Sequence, residues 1–346
     1  MAYSQGDSIP RAAGRSQVPV GSPRILHEAT DHIRPTPGPS LAPFRRHRKE
    51  GAGSPSNRAL KMSTFSQTLP TVSLGPHRIS RLIIGDNPIY GYSHFNQLLS
   101  QHQSDFHTPD QVMATLQRAE AVGINAWQNT IQPRSLSDLL RYREEGGAIH
   151  WLCLSPGDWY GEPHRVDEAA RHQPIGIAPH GGAVGDRCLR ENRLPLLKDL
   201  LKRIRDTGVL VGLSVHNSRL LQIAEDESWD VDYYMTALYD LGGGREEFEQ
   251  KFGYAPLGEI YLREHRSRMC ELIRKTEKTC IAFKVLAAGR AIGSRERIRE
   301  EVAFALRNIK PSDAILVGMY QQFGDQIGEN AALVTELCQE LASNGE

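Results

Sequence analysis

From about residue 71 the chain alternates short apolar runs with longer amphipathic stretches. Thr71-Val72-Ser73-Leu74 and His77-Arg78-Ile79, split by Gly75-Pro76, predict a small hairpin, and Arg81-Leu82-Ile83-Ile84 predicts a first buried strand. Seven more strand-like runs follow at 124–127, 149–154, 175–178, 210–213, 233–237, 281–286 and 314–317. Helical patterns fall between them at 136–145, 194–207, 219–227, 261–276 and 296–308, with a weaker one at 166–172 and a last one at 327–341. The helix after the first strand carries its own punctuation. Thr108 is the N-cap, Pro109 opens the first turn, Gln111 completes a Thr-x-x-Gln capping box, and Gly123 ends it. Eight strands, each followed by a helix or crossover, predict an α/β fold, a (β/α)8 TIM barrel with an N-terminal hairpin, over residues 62–346. An open, doubly wound sheet is the rival arrangement.

Charge separates the chain into two parts. Lys+Arg and Asp+Glu both number 41, but residues 1–61 hold ten basic and four acidic residues, net +6, leaving net −6 for the remainder. The first part is rich in Pro, Gly, Ser and Arg, includes the cluster Arg45-Arg46-His47-Arg48-Lys49, and lacks any sustained apolar period. It is expected to be a disordered tail, since it cannot bury enough surface to offset the entropy of ordering. Three readings of that tail stand side by side: a transit segment interrupted by Asp7, Glu28, Asp31 and Glu50, a solvated functional tail, or an extension upstream of a natural start at Met62. The balanced total gives no basis for a nucleic-acid or membrane partner. No run approaches the length of a membrane span. Five widely spaced cysteines without a Cys-x-x-Cys pair fit a reducing compartment, and a cytoplasmic location is expected. The oligomeric state is left open.

A barrel collects its chemistry at the carboxyl ends of its strands. Those ends read Gly85-Asp86-Asn87-Pro88, Gln128-Asn129, Ser155-Pro156, His180-Gly181-Gly182, Ser214-Val215-His216-Asn217, Tyr239-Asp240, Lys284 and Gly318-Met319. Lys284 is the sharpest of them. The period of two in Ile281-Ala282-Phe283-Lys284 puts Ala282 and Lys284 on one face and the bulkier residues on the other, which suits the helix layer and turns Lys284 into the barrel. A buried ammonium suits oxyanion binding, base catalysis or Schiff-base formation; its structural alternative is an ion pair with a strand-end carboxylate such as Asp86. His180 and His216 end neighbouring strands and suit acid–base work, or a divalent metal with Asp86 as third ligand, although no metal-type spacing supports the metal. Candidate substrate contacts are Asn87, Gln128, Tyr239, His94 in a long loop after the first strand, and Trp159 as a stacking surface after the third. Arg290, in Ala287-Ala288-Gly289-Arg290, suits a phosphate. The segment 242–254 reads as an insertion over the same end.

In order and spacing, Ile79-Ser80-Arg81-Leu82-Ile83-Ile84-Gly85, Ala121-Val122-Gly123-Ile124-Asn125, the His180 strand end, Thr207-Gly208-Val209-Leu210-Val211-Gly212-Leu213-Ser214 and Ile315-Leu316-Val317-Gly318 with Glu329-Asn330 resemble the aldo/keto reductase superfamily over roughly residues 71–341. The resemblance implies NAD(P)-dependent oxidoreduction, with NADP or NAD held near Ser214, Arg290, Gly318, Met319, Gln326 and Asn330. It also implies a catalytic Asp, Tyr, Lys and His. Here Gln128 replaces the Asp, the Tyr position falls near Pro133, Leu154-Ser155 stands where the Lys belongs, and only His180 matches. The expected activity is therefore that of an enzyme acting on a small polar carbonyl or sugar-like compound. Either a nicotinamide reaction, or a lyase, isomerase or epimerase reaction using His180, His216, Lys284 and Asp86, meets that description. A catalytically inactive ligand-binding barrel is the third alternative.

Overall fold

The computed structural model describes residues 68–344. The expectations for residues 1–61 and for Met62 lie outside them. Strands β1 (Thr71–Leu74) and β2 (His77–Ser80) pair antiparallel as the expected hairpin. The next eight strands, β3 (Leu82–Gly85), β4 (Ala126–Thr130), β5 (His150–Leu154), β6 (Gly176–Ala178), β7 (Leu210–Val215), β8 (Tyr233–Ala237), β9 (Thr279–Phe283) and β10 (Ala314–Gly318), are all parallel. They close in the order β10-β3-β4-β5-β6-β7-β8-β9, so the fold is a (β/α)8 barrel and the open-sheet alternative falls.

Two packed layers hold it together. Ile83, Ala126, Leu152, Leu154, Ala178, Tyr233, Met235, Ile281 and Leu316 fill the interior, joined by Val72, Leu74 and Ile79 of the hairpin. The hairpin thus seals the amino end of the barrel; Thr279 Oγ1 donates to the Ser73 carbonyl at 3.2 Å across that seam. The opposite faces of the strands, including Ile84, Trp127, Cys153, Leu213, Tyr234 and Ala282, pack beneath the helices. Trp151 belongs to this outer layer, with its indole N–H donating to Asn129 Oδ1 at 2.9 Å. All five cysteines are buried and free. Among the described residues no helix is long and apolar enough to cross a membrane.

Helices α2 (Pro109–Ala121), α3 (Pro133–Glu144), α6 (Leu194–Asp206), α7 (Ser218–Asp226), α9 (His265–Lys275), α10 (Arg295–Asn308) and α11 (Gln326–Asn344) follow the expected patterns, and the weak pattern at 166–172 becomes α4 (Arg165–Ala170). Thr108 caps α2 by accepting from the Gln111 N–H at 3.3 Å. A helix the patterns do not predict, α1 (Gln97–Phe106), lies in the loop after β3; Gln103 is its one buried residue, so no apolar stripe announces it. The expected insertion is α8 (Leu241–Phe252), ended by Gly253 at φ +76°.

Candidate active site

Parity places the mouth residues. On β6 Ala178 points inward, and two positions on so does His180; on β7 Ser214 and His216 follow the inward side left by outward Leu213 and Val215. After His180 the chain enters one π-helical turn, Gly181–Asp186, in which the N–H groups of Val184 and Gly185 both donate to the His180 carbonyl. The turn needs its glycines. A Cβ on Gly182 would stand 2.8 Å from Nδ1 of His216, and one on Gly181 3.1 Å from Ser214 Oγ.

The turn also fixes the proton on the His180 ring. Nδ1 accepts from the Ala183 N–H at 3.1 Å, so the neutral ring carries its proton on Nε2. Burial, then the nearby charges of His94 and Lys284, bring the His180 pKa down to about 4. The His216 ring packs edge-on against it at 5.7 Å and against Phe283 at 5.3 Å, and burial followed by His180 and Lys284 holds it well below the ordinary histidine range. Both imidazoles are therefore neutral at physiological pH.

Lys284 reaches the mouth by a different route from the one its sequence pattern predicts. Ile281 and Phe283 pack toward the interior and Ala282 lies under the helices, the reverse of the expected assignment, because the narrow interior is filled by large residues and the small one admits a helix. Lys284 lies one residue past the strand and adopts φ +57°, which breaks the alternation. Its ammonium lies 2.9 Å from both Glu259 oxygens and 3.3 Å from the Tyr261 hydroxyl. Tyr261 donates to Glu259 as well, and His94 Nδ1 lies 3.1 Å from it. Burial pushes the Glu259 carboxyl up, but the His94 hydrogen bond and the Lys284 charge outweigh it and hold it well below the usual carboxylate range. Burial pulls the ammonium down from its ordinary value against the charge of Glu259. Arg290 flanks the cluster, its guanidinium 4.4 Å from the Tyr261 ring centroid and donating to the His94 carbonyl at 3.0 Å.

Several other expected site residues are enclosed. Asp86 is not the partner of Lys284: it is 1% exposed, and its Oδ2 accepts the Thr130 N–H at 2.6 Å along the β3–β4 seam. Burial brings its pKa up to about 6, with the Thr130 hydrogen bond opposing. Trp159 is 1% exposed within the outer core, so it offers no ring for stacking. Tyr239 is buried behind Tyr261, their rings 5.3 Å apart. Gln128 is buried with Nε2 unpartnered among the described residues, and Asn87 is half-buried at the turn after β3. No three His, Cys, Asp or Glu side chains among the described residues converge as metal ligands. The nicotinamide positions are dispersed in character. Ser214 and Met319 are enclosed, Arg290 is engaged as above, Gln326 Oε1 accepts the Tyr320 N–H at 2.8 Å, Asn330 is half-buried, and Gly318 is exposed with Pro88 against it.

Four residues at this end escaped the sequence reading. Glu259 and Tyr261 come from the loop after α8, and the polar insertion expected there was their one signal. Asp186 and Arg190 follow the His180 strand end by six and ten residues; Arg190 closes the short helix α5 (Arg187–Arg190). A cavity of about 440 Å³ opens beside them, lined by His216, Gly242, Arg245 and Glu259 among others. Asp240 secures its α8 wall by accepting the N–H groups of Ser218 at 3.1 Å and Gly243 at 2.9 Å.

No protein-family model matches the chain, and no curated protein does. Solved structures similar to it include a truncated 3-deoxy-D-arabino-heptulosonate 7-phosphate synthase from Thermotoga maritima, at 14% identity over 82% of this chain and 94% of that one, TM-score 0.45. A glycerol dehydrogenase from Gluconobacter oxydans matches at 12% identity over 79% of this chain and 95% of its own, TM-score 0.46. A Gox0644 variant in complex with NADPH matches at 12% identity over 79% and 94%, TM-score 0.47. At these values the likenesses assign no activity to the chain.

Proposed function

We propose that the barrel is an enzyme that moves a proton on a small polar carbonyl or sugar-like substrate at its carboxyl-end mouth. His180 carries the reading: a neutral imidazole whose Nδ1 is occupied by the Ala183 N–H keeps its proton on Nε2 as a donor for a substrate oxygen. His216, neutral and 5.7 Å from His180 between ring centroids, is the group that accepts a proton from carbon or hydroxyl. Lys284, held by Glu259, stabilises the oxyanion that forms as the proton leaves. The reaction class is isomerisation, epimerisation or lyase cleavage.

A nicotinamide-linked oxidoreduction is the second reading. It draws on the family resemblance and on the Phe323 ring, 77% exposed and stacked on His102 at 5.8 Å beside the loop after β10, a face on which a planar base can lie.

Incubation of the protein with a panel of aldoses, ketoses and hydroxy acids in deuterated water separates the two. Proton transfer predicts deuterium wash-in by NMR without added nucleotide, lowered about 10²- to 10⁴-fold in His180→Gln. Substrate-dependent NADPH oxidation with no wash-in supports the second reading and ends the first. Wash-in unchanged in His180→Gln removes His180 from the mechanism.

A further inference from the structure

Asp186 is 6% exposed, and its Oδ1 has no hydrogen-bond partner among the described residues. A buried carboxyl without a partner is costly, and Oδ1 is closed to solvent, so the oxygen left for the cavity is Oδ2. Oδ2 faces Gly242, where a Cβ would come within 2.9 Å of it and 2.6 Å of Asn217 Cβ. Arg190 lines the same cavity. Arg187 is held by Glu191 at 2.9 Å and Arg245 by Glu249 at 2.9 Å, whereas Arg190 has no ion-pair or hydrogen-bond partner among the described residues. The cavity thus offers one uncommitted carboxyl and one uncommitted guanidinium, with the neutral His216 ring on its inner side.

These groups restrict the ligand. A simple cation would meet Arg190, and a simple anion would leave the carboxyl unsatisfied. Burial brings the Asp186 pKa up to about 7, with Arg190 opposing, so near neutrality the carboxyl both donates and accepts; a hydroxyl is the partner that suits either state. A volume of about 440 Å³ is that of a small-molecule site.

We propose that this cavity is the subsite for the distal end of a hydroxylated oxyanion, with Arg190 pairing its phosphate or carboxylate and Asp186 bonding a neighbouring hydroxyl. The assignment rests on the proposed function only in making this the far end of the same substrate, the near end lying at His180 and Lys284. Phosphate and carboxylate share the chemistry Arg190 recognises.

Isothermal titration of the full chain with ribose, ribose 5-phosphate, ribonate and inorganic phosphate tests it. Ribose 5-phosphate or ribonate should bind at least about tenfold tighter than ribose, and whichever does so identifies the oxyanion. Arg190→Gln should remove that advantage. Asp186→Asn, an isosteric change whose folding is checked by its melting temperature, should bring ribose 5-phosphate down to the affinity of inorganic phosphate. The inference is overturned if the anionic sugars bind no tighter than ribose, or if Arg190→Gln binds them within about twofold of the parent. His180→Gln separates the two proposals. Retained anion-dependent binding with no proton transfer in any protein keeps the subsite and ends the acid–base reading, and proton transfer with anion-independent binding does the reverse.

Discussion

The ammonium of Lys284 stands 2.9 Å from both oxygens of Glu259, its side chain only 6% exposed while that of Glu259 is 27% exposed. The two partners therefore depend on one another unequally. Without Lys284, Glu259 keeps His94 and Tyr261; without Glu259, a buried ammonium keeps only a hydroxyl. Glu259→Gln should lower stability by about 3 kcal/mol, the cost of an unpaired buried charge, and Lys284→Met by less than about 1 kcal/mol. Urea unfolding of the two variants measures this, and equal losses would contradict the asymmetry.

His180 and Asp186 pull the pH dependence of stability in opposite directions over one window. The His180 pKa falls from 6.5 to about 4 on folding, so its contribution is complete above pH 6.5 and is lost as pH drops toward 4. The Asp186 pKa rises from 3.8 to about 7, so its contribution is complete below pH 3.8 and is lost as pH climbs toward 7. Each is worth no more than about 3 to 4 kcal/mol. Relative to the parent, His180→Gln should lose stability from pH 4 to 7 and Asp186→Asn should gain it. Melting temperatures across that range read both slopes, and parallel profiles for the two variants would refute the opposition.

Gly182 is the spacer between the two histidines. In Gly182→Ala the new methyl would meet His216 Nδ1 at 2.8 Å, so the ring or the π-helical turn must shift. The expected cost is about 1 to 3 kcal/mol, with proton-transfer activity falling further than stability does. A crystal structure of the variant with both rings unmoved would disprove this reason for the glycine.

The loop after β9 stores strain: Lys284, Ala287 and Ala288 all have positive φ, Ala288 at φ 50° and ψ 48°. Ala288→Gly should raise stability by up to about 1 kcal/mol, and Ala288→Val should lower it. A glycine variant no more stable than the parent in urea would show that the loop bears no such strain.

The barrel was readable from the sequence because most strands are short apolar runs that only burial on both faces explains, as in Tyr233–Ala237, where prediction and structure coincide. The site was readable in part. His180 and His216 follow from parity, since each lies within two residues of the end of a regular strand that sets its side. Lys284 was singled out through a parity assignment that the structure reverses, and it is at the mouth because of a left-handed backbone that nothing about a lysine announces. Glu259 rather than Asp86 is its partner because a loop after α8 folds back over β9, a long-range contact with no local signal. Asp186 and Arg190 look like ordinary loop residues until burial and the lack of partners set them apart.

The hairpin of β1 and β2 closes the barrel at the end opposite the chemistry, and its apolar side chains join the interior core. Everything the site takes up must enter and leave through the same opening.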